Sequence, residues 1–491
     1  MTVVKTRAIG RRFPDYGWSW PTGGLDQLLK AVLLCDDDSA HAQAASWLDE
    51  NDIDEVSFRE HRLLAAISDR FGRKLADHAA FPRLVGLQKM LWTRSRMAMR
   101  EAEPALLAMT DAGCTVMLIK GASRIALNAS AQRGRVAHDI DILVRPRDLQ
   151  AAFDVLRERD WQIATGVSPQ YLRTRLASLR SMNFFKGNFG DIDLHQLAYD
   201  GSQQSSEDDL AIWQRAAAAE FSGVRVVVPS SADRIALAIA HGGLDAHTHS
   251  DWLVDCAVAI RGGDVDWDVF ADVVARRGIE VAAAVALSYL ALEIGVEMPE
   301  AVLASVVKMA DGTGLSRWSA MLQAKPRTDF GRLVWLSRGF AKQLRLKRKS
   351  GRLRQEPAAR AWRGIRTSRA PRTERLPPVF SQGISCPKTQ GEMVLDIVVR
   401  ISVPPVRRRI EMEINAGDDH VARLRAMAVS RSGRERLLHF RGRVRLDGER
   451  ETLTLEARPS RQFRQWDDAK AVAAYGALPF QLISAVFSPP R

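Results

Sequence analysis

From Leu25 to Asp111 apolar residues recur at three- and four-residue spacing, and at Cys114 that period stops. Leu28, Leu29, Val32 and Leu33 make one stripe, Leu63, Leu64, Ile67 and Phe71 a second, and the run from Leu87 to Met109 a third. Each fits one face of a helix. Beyond Cys114 the pattern shortens and alternates: a β-prone run at 115–119, a helix at 122–129, a strand at 138–144, a helix at 147–157, a strand at 161–164 and a helix at 169–179. Residues 182–186 and 190–197 read as a hairpin, because Gly187, Asn188 and Phe189 between them favour a turn. Helical spacing returns from Ser231, with a cap at Ser230 or Ser231, and lasts to about Gln323. Past Met393 the chain turns β-rich, with strands at 394–402 and 409–414 and an expected hairpin of 441–446 with 452–456 around Asp447 and Gly448. The implied fold class is α+β.

A chain of 491 residues exceeds what one core ordinarily organises. The divisions expected are a tail at 1–24, a helical N-terminal lobe at 25–113, an α/β core at 114–200, a helical lobe at 201–325, a basic helix and linker at 326–385, and a separate β-rich domain at 386–491. A hydrophobic fraction of 46% with 26% charged residues describes a folded globular chain, not a disordered one. No apolar run is long enough for a membrane span, and the N-terminus lacks the apolar stretch of a secretory signal, so a cytoplasmic location is expected. Cys35, Cys114, Cys256 and Cys386 lie far apart and form no CxxC pair, which argues for reduced buried thiols.

The net charge of +13 is concentrated. Residues 341–380 hold 13 Lys plus Arg against two Glu, a balance of +11, which leaves +2 elsewhere. A polyanion contact through that segment is one expectation, and a solvated linker is the plainer one.

Asp139 and Asp141 stand two apart on an alternating strand, so their side chains share a face. Two carboxylates at that spacing repel unless a cation sits between them, and oxygen-only ligands suit Mg²⁺. The pair alone is weak evidence, since Asp-x-Asp is common on solvated edges. Upstream, a strand ends at Lys120 and Gly121 just before a helix, where free backbone N–H groups and a close-approaching glycine would suit a phosphate. Downstream, Asp191, Asp193 and His195 share one face of the later hairpin strand, where a third carboxylate would complete a metal-dependent phosphoryl-transfer site. His195 fits a hydrogen-bonded structural role at least as well as a catalytic one. His241, Asp245, His247 and His249 crowd together but lack the spacing of a zinc site. Asp255 reads as a cap or a buried group joining two lobes.

Together these segments resemble an uncharacterised nucleotidyltransferase family of the DNA polymerase β-like superfamily. The matching elements are Met117-Leu-Ile-Lys-Gly-Ala122, Arg135 four residues before Asp139-Ile-Asp-Ile-Leu-Val144, Asp193-Leu-His195, His241, Trp252-Leu-Val-Asp255 and Asp266-Trp267, spread over residues 25–310. The resemblance implies a nucleotidyltransferase-like mixed sheet flanked by helical lobes. It implies Asp139, Asp141 and Asp193 as catalytic and metal-binding carboxylates, with Lys120, Gly121, Ser123 and Arg135 around the nucleotide. Mg²⁺ or Mn²⁺ is the implied cofactor, and a nucleoside triphosphate such as ATP the substrate. The acceptor, whether small molecule, protein or RNA, is left open, as are a non-catalytic nucleotide-binding or scaffold role and an RNA-directed activity. His138 departs from the pattern, because a small residue is expected before the first carboxylate.

Overall fold

The computed structural model describes residues 15–56, 58–163, 179–199, 206–244, 251–312, 315–326, 380–402, 410–417, 419–432, 435–459 and 480–490, with positions 173 and 176. It divides into two compact units, residues 1–164 with 179–353, and residues 165–178 with 354–491.

The first unit opens on a one-turn 3₁₀ helix, Tyr16–Ser19, followed by four helices: α1 Gly23–Leu33, α2 Asp37–Glu50, α3 Phe58–Phe71 and α4 Phe81–Asp111. Residues 15–24 therefore do not form the free tail expected. The Tyr16 hydroxyl donates to Asp311 at 3.1 Å, Ser19 to the Met321 carbonyl at 2.9 Å, and the Trp20 indole to Ser288 at 3.1 Å. These aromatics carry no helical period because long-range polar contacts, not an amphipathic face, hold them in place.

A seven-stranded mixed sheet follows: β1 Met117–Leu118, β2 Ile140–Leu143, β3 Gln162–Ile163, β4 Ser181–Lys186, β5 Gly190–His195, β6 Ala217–Phe221 and β7 Val224–Val228, in spatial order β3-β4-β5-β2-β1-β7-β6. Helices α5 Lys120–Leu127 and α6 Leu149–Glu158 lie between its early strands, and α7 Ser206–Gln214 precedes β6. The β4–β5 hairpin turns where the sequence indicated. The sheet does not end at residue 200, however, because β6 and β7 form a second hairpin and β7 pairs parallel to β1. Ala217–Ala219 has helical propensity, but Ser222 and Gly223 both take positive φ, 51° and 81°, the backbone of a tight hairpin turn. Tertiary pairing overrides local preference here.

Helices then complete the unit: α8 Ser231–Leu244, α9 Asp251–Arg261, α10 Trp267–Arg277, α11 Glu280–Leu292, α12 Glu300–Asp311 and α13 Leu315–Ala324. Helix α11 is buried along nearly its whole length and forms the centre of this lobe. Cys114 and Cys256 are buried thiols as expected, but Cys35 is exposed and Cys386 only partly covered. Among the described residues no helix is long and apolar enough to cross a membrane.

The second unit is an antiparallel sheet of β8 Phe380–Ser385, β9 Gln390–Ser402, β10 Ile410–Ala416, β11 Asp419–Ser432, β12 Glu435–Asp447, β13 Thr452–Pro459 and β14 Phe480–Ser488, ordered β14-β9-β12-β11-β10-β13-β8. Its two edge strands come together where Phe380 stacks on Phe480 at 5.7 Å, which brings the sheet close to a barrel. The strands flanking Asp447 and Gly448 exist as expected but do not pair. β12 lies between β9 and β11, while β13 lies between β10 and β8. The basic segment at 341–380 lies outside the described residues, apart from Phe380.

Candidate active site

Strands β2 and β5 run parallel and in register, so that Asp141 stands beside Asp193 and Leu143 beside His195. His195 Nε2 lies 2.8 Å from Asp193 Oδ2 and 3.1 Å from Asp141 Oδ1, which places its N–H between the two carboxylates. Asp141 Oδ1 also accepts from the Lys120 ammonium. Asp141 is 4% exposed and His195 1%. Burial alone would raise the Asp141 carboxyl, but Lys120 and then His195 reverse this and hold it far below the usual carboxylate range. Burial raises the Asp193 carboxyl too, but the hydrogen bond and charge of His195, together with the charge of Lys120, leave it lowered. The imidazole answers in kind: burial disfavours its charge, yet the bonds to Asp141 and Asp193 leave its pKa raised.

The other two acids behave oppositely. Asp139 is raised by burial and then by Asp141. Asp191 is pushed up to about 7 by burial and then by Asp139, Asp193 and Asp141. Two carboxylates are therefore lowered by neighbouring cations, while two are raised by burial and by the charge of the other acids. Asp191 Oδ1 and Asp193 Oδ1 are buried and accept no hydrogen bond among the described residues, so oxygen donors remain for a hard cation. Among the described residues, Asp141, Asp193 and His195 form a group of metal-ligand types whose donor atoms lie within 4.8 Å of one another. It contains two of the three expected ligands. Asp139 falls outside it but lines the same cavity as Asp141.

The Asp191 shift sets a pH dependence. A native carboxyl that titrates at about 7, against about 4 in the unfolded chain, binds the extra proton between those values, so the metal-free protein loses stability as pH rises through that window. Asp191→Asn is expected to melt above wild type at pH 8 in EDTA and level with it at pH 4. Equal melting temperatures at both pH values would mean that Asp191 carries no such strain.

A cavity of about 90 Å³ lies against Asp139 and Asp141, lined by Lys120, Gly121 and Ser123 on one part and by residues of α8 and α9 on another. Lys120 begins α5 with φ of 55°, a left-handed conformation that costs a non-glycine residue about 1 kcal/mol or more. Ser123 is buried, and its hydroxyl donates to the Lys120 carbonyl at 2.7 Å, so it buttresses that turn instead of facing the cavity with a free donor. Gly121 has a different neighbour from the one its sequence context suggests. A Cβ there would meet the Arg135 guanidinium, 2.5 Å from Nη2 and 2.7 Å from Cζ.

Arg135 is itself fully engaged. Its Nε and Nη2 donate to the Asp255 carboxylate at 2.9 Å, and its Nη1 donates to the Val136 carbonyl at 2.9 Å and lies 3.0 Å from Asp251. Burial opposes the charge, yet Asp251 and Asp255 raise its pKa further above the ordinary arginine value. Arg62 of α3 reaches Asp251 at 2.7 Å, and Arg124 of α5 reaches Asp255 at 3.2 Å. Asp251 and Asp255, one turn apart on α9, thus tie three segments of the unit together, which is the joining role expected of Asp255. The same crowd of cations acts on His138, whose pKa is pushed down to about 4 by burial and then by Arg62, Arg94 and Arg135.

Residues 58–293 match the uncharacterised nucleotidyltransferase family. The family is the one the motifs pointed to, and the match runs from the start of α3 to the end of α11. No curated protein and no solved structure matches the chain. The matched segment contains every residue of the cavity wall described above. Sequence reasoning missed Asp191 as the partner of Asp139, Arg62 and Asp251 as ion-network members, and Arg234 on α8. Helical spacing was the available signal for the last, since Arg234, Ala238 and His241 fall on one face of α8 and all line the cavity. Asp245, His247 and His249 lie outside the described residues.

Proposed function

We propose that the chain is a metal-dependent nucleotidyltransferase that moves a nucleoside monophosphate from a nucleoside triphosphate to an acceptor hydroxyl or amine, with release of pyrophosphate. The observation that carries this reading is the in-register pairing of Asp141 with Asp193, with Asp139 and Asp191 two residues earlier on each chain segment, inside the family-matched span. On the same grounds we read the mixed sheet as a nucleotidyltransferase-like core. Asp139, Asp141 and Asp193 would hold Mg²⁺ or Mn²⁺. A divalent cation there supplies positive charge to the phosphate oxygens and to the attacking oxygen or nitrogen. Asp193 would take the acceptor's proton, held in orientation by His195. Lys120, raised at the start of α5, would meet the phosphates as a point charge, while Gly121, Ser123 and Arg135 would shape that turn from behind.

One observation favours a second reading. Asp141 already has Lys120 and His195 as charge partners, an arrangement that suits a chain retaining the site for non-catalytic nucleotide binding or as a scaffold. Pyrophosphate release from ATP, GTP, CTP and UTP, with Mg²⁺ or Mn²⁺ and with small-molecule, protein and RNA acceptors, separates the two. Divalent-dependent release that disappears in Asp193→Asn while nucleotide still binds supports transfer. Binding of nucleotide with no release from any of the four supports the second reading.

A further inference from the structure

The cavity wall holds five cations, and four of them have a carboxylate close by. Arg62 has Asp251 at 2.7 Å, Arg124 has Asp255 at 3.2 Å, Arg135 has both, and Lys120 has Asp141. Arg234 is different. Its Nη2 donates to Ser231 Oγ at 2.7 Å, a hydroxyl that itself donates to Asp264 at 2.7 Å, and its Nε is buried without a hydrogen bond among the described residues. The adjacent acid, Asp233, is turned to Arg215 in a two-bond pair of 2.7 and 2.8 Å and so is taken. No carboxylate among the described residues makes an ion pair with Arg234. A guanidinium keeps its charge at any neutral pH; burial opposes that charge here, and Asp264 and Asp255 offset it only in part and from beyond ion-pair distance. Its planar fork matches phosphate oxygens better than any other protein cation does. Ala238, one turn along α8 on the same face, carries almost no side-chain bulk, while Gly242, a turn further, is packed against the Trp252 ring that closes that end of the cavity.

We propose that Arg234 is a phosphate-binding residue of this cavity, which takes oxygens of the nucleotide's polyphosphate chain from the α8 wall. The nature of the anion rests on the transferase reading; the anion site itself rests on Arg234. Calorimetry on the full chain with inorganic tripolyphosphate and with a non-hydrolysable α,β-methylene ATP, in Mg²⁺, tests both. Arg234→Met is expected to weaken both probes by about tenfold or more, the worth of a charge-assisted hydrogen bond. Arg234→Lys should fall between, since it keeps the charge and loses the fork. The ligand-free melting temperature of Arg234→Met should equal or exceed wild type, because no ion pair is broken, whereas Arg124→Met should melt lower. Unchanged affinity in Arg234→Met, or a lowered melting temperature with unchanged affinity, overturns the proposal and leaves the transferase reading standing. Failure of wild type to bind either probe overturns both. Arg234-dependent binding with no pyrophosphate release from any nucleotide upholds the proposal and sinks the transferase reading.

Discussion

Asp139→Asn is expected to lower divalent-dependent pyrophosphate release by roughly two to four orders of magnitude while leaving the melting temperature unchanged or raised. On the proposed function, the loss would follow from removing one ligand of a cation that would supply several kcal/mol of charge stabilisation to a transferring phosphoryl group. The stability effect follows from the electrostatics of the cation-free protein, in which Asp139 is raised by burial and by Asp141, so that neutralising it relieves a repulsion. Asp141→Asn should behave otherwise. That carboxylate is buried and is the ion-pair partner of Lys120, so removing it leaves the ammonium unpaired and leaves His195 with Asp193 alone, at a cost of about 3–5 kcal/mol. Activity and fold would then fall together, which makes Asp141→Asn the poorer test of mechanism. Thermal melts beside a pyrophosphate assay check the contrast. Full activity in Asp139→Asn removes it from the site, and an equal loss of stability in both variants means that Asp139 is a structural partner instead.

The carboxylate strand was legible because the information is local. Alternation places Asp139 and Asp141 on one face, although β2 begins only at Ile140 and Asp139 stands in the bend before it, and the turn residues Gly187, Asn188 and Phe189 bring back a strand carrying Asp191, Asp193 and His195. Which of these meet is not local. The parallel register that sets Asp141 beside Asp193 depends on two strands separated by α6, β3 and β4, and no spacing rule reports it. Parity likewise gave Asp191 and Asp193 equal claims, and only their neighbours separate them: His195 for one, Asp139 for the other. The partners of Arg135 lie more than a hundred residues downstream, so no local spacing reports the Asp251 and Asp255 pairs that make it a buried anchor. The β6–β7 hairpin was hidden by an alanine run, and the β12–β13 connection looked like a hairpin because Asp447-Gly448 is a turn whichever strands flank it. Turn chemistry fixes where a chain reverses; packing of the sheet decides what it pairs with.

The Arg135 anchor makes the second large prediction. Arg135→Ala is expected to destabilise the first unit by about 3–5 kcal/mol, because Asp251 and Asp255 lose their shared cation while buried or nearly so. At roughly 2–4 °C per kcal/mol for a domain of this size, the melting temperature should fall on the order of 10 °C. Gly121→Ala should also destabilise, by about 1–3 kcal/mol, since its methyl would enter the guanidinium and the bidentate bond to Asp255 prevents that group from yielding. The sign is informative in itself: alanine is the better helix former by about 1 kcal/mol, so an ordinary glycine in the first turn of α5 would gain from the change. In an Arg135→Ala background the obstacle is gone, and Gly121→Ala should then cost little or even stabilise. The two losses should therefore fall short of additive by about 1 kcal/mol or more, measured as a double-mutant cycle in denaturant. Additive losses would mean that Gly121 is needed for something other than Arg135, and a phosphate approaching the backbone at the start of α5 would be the explanation to test next.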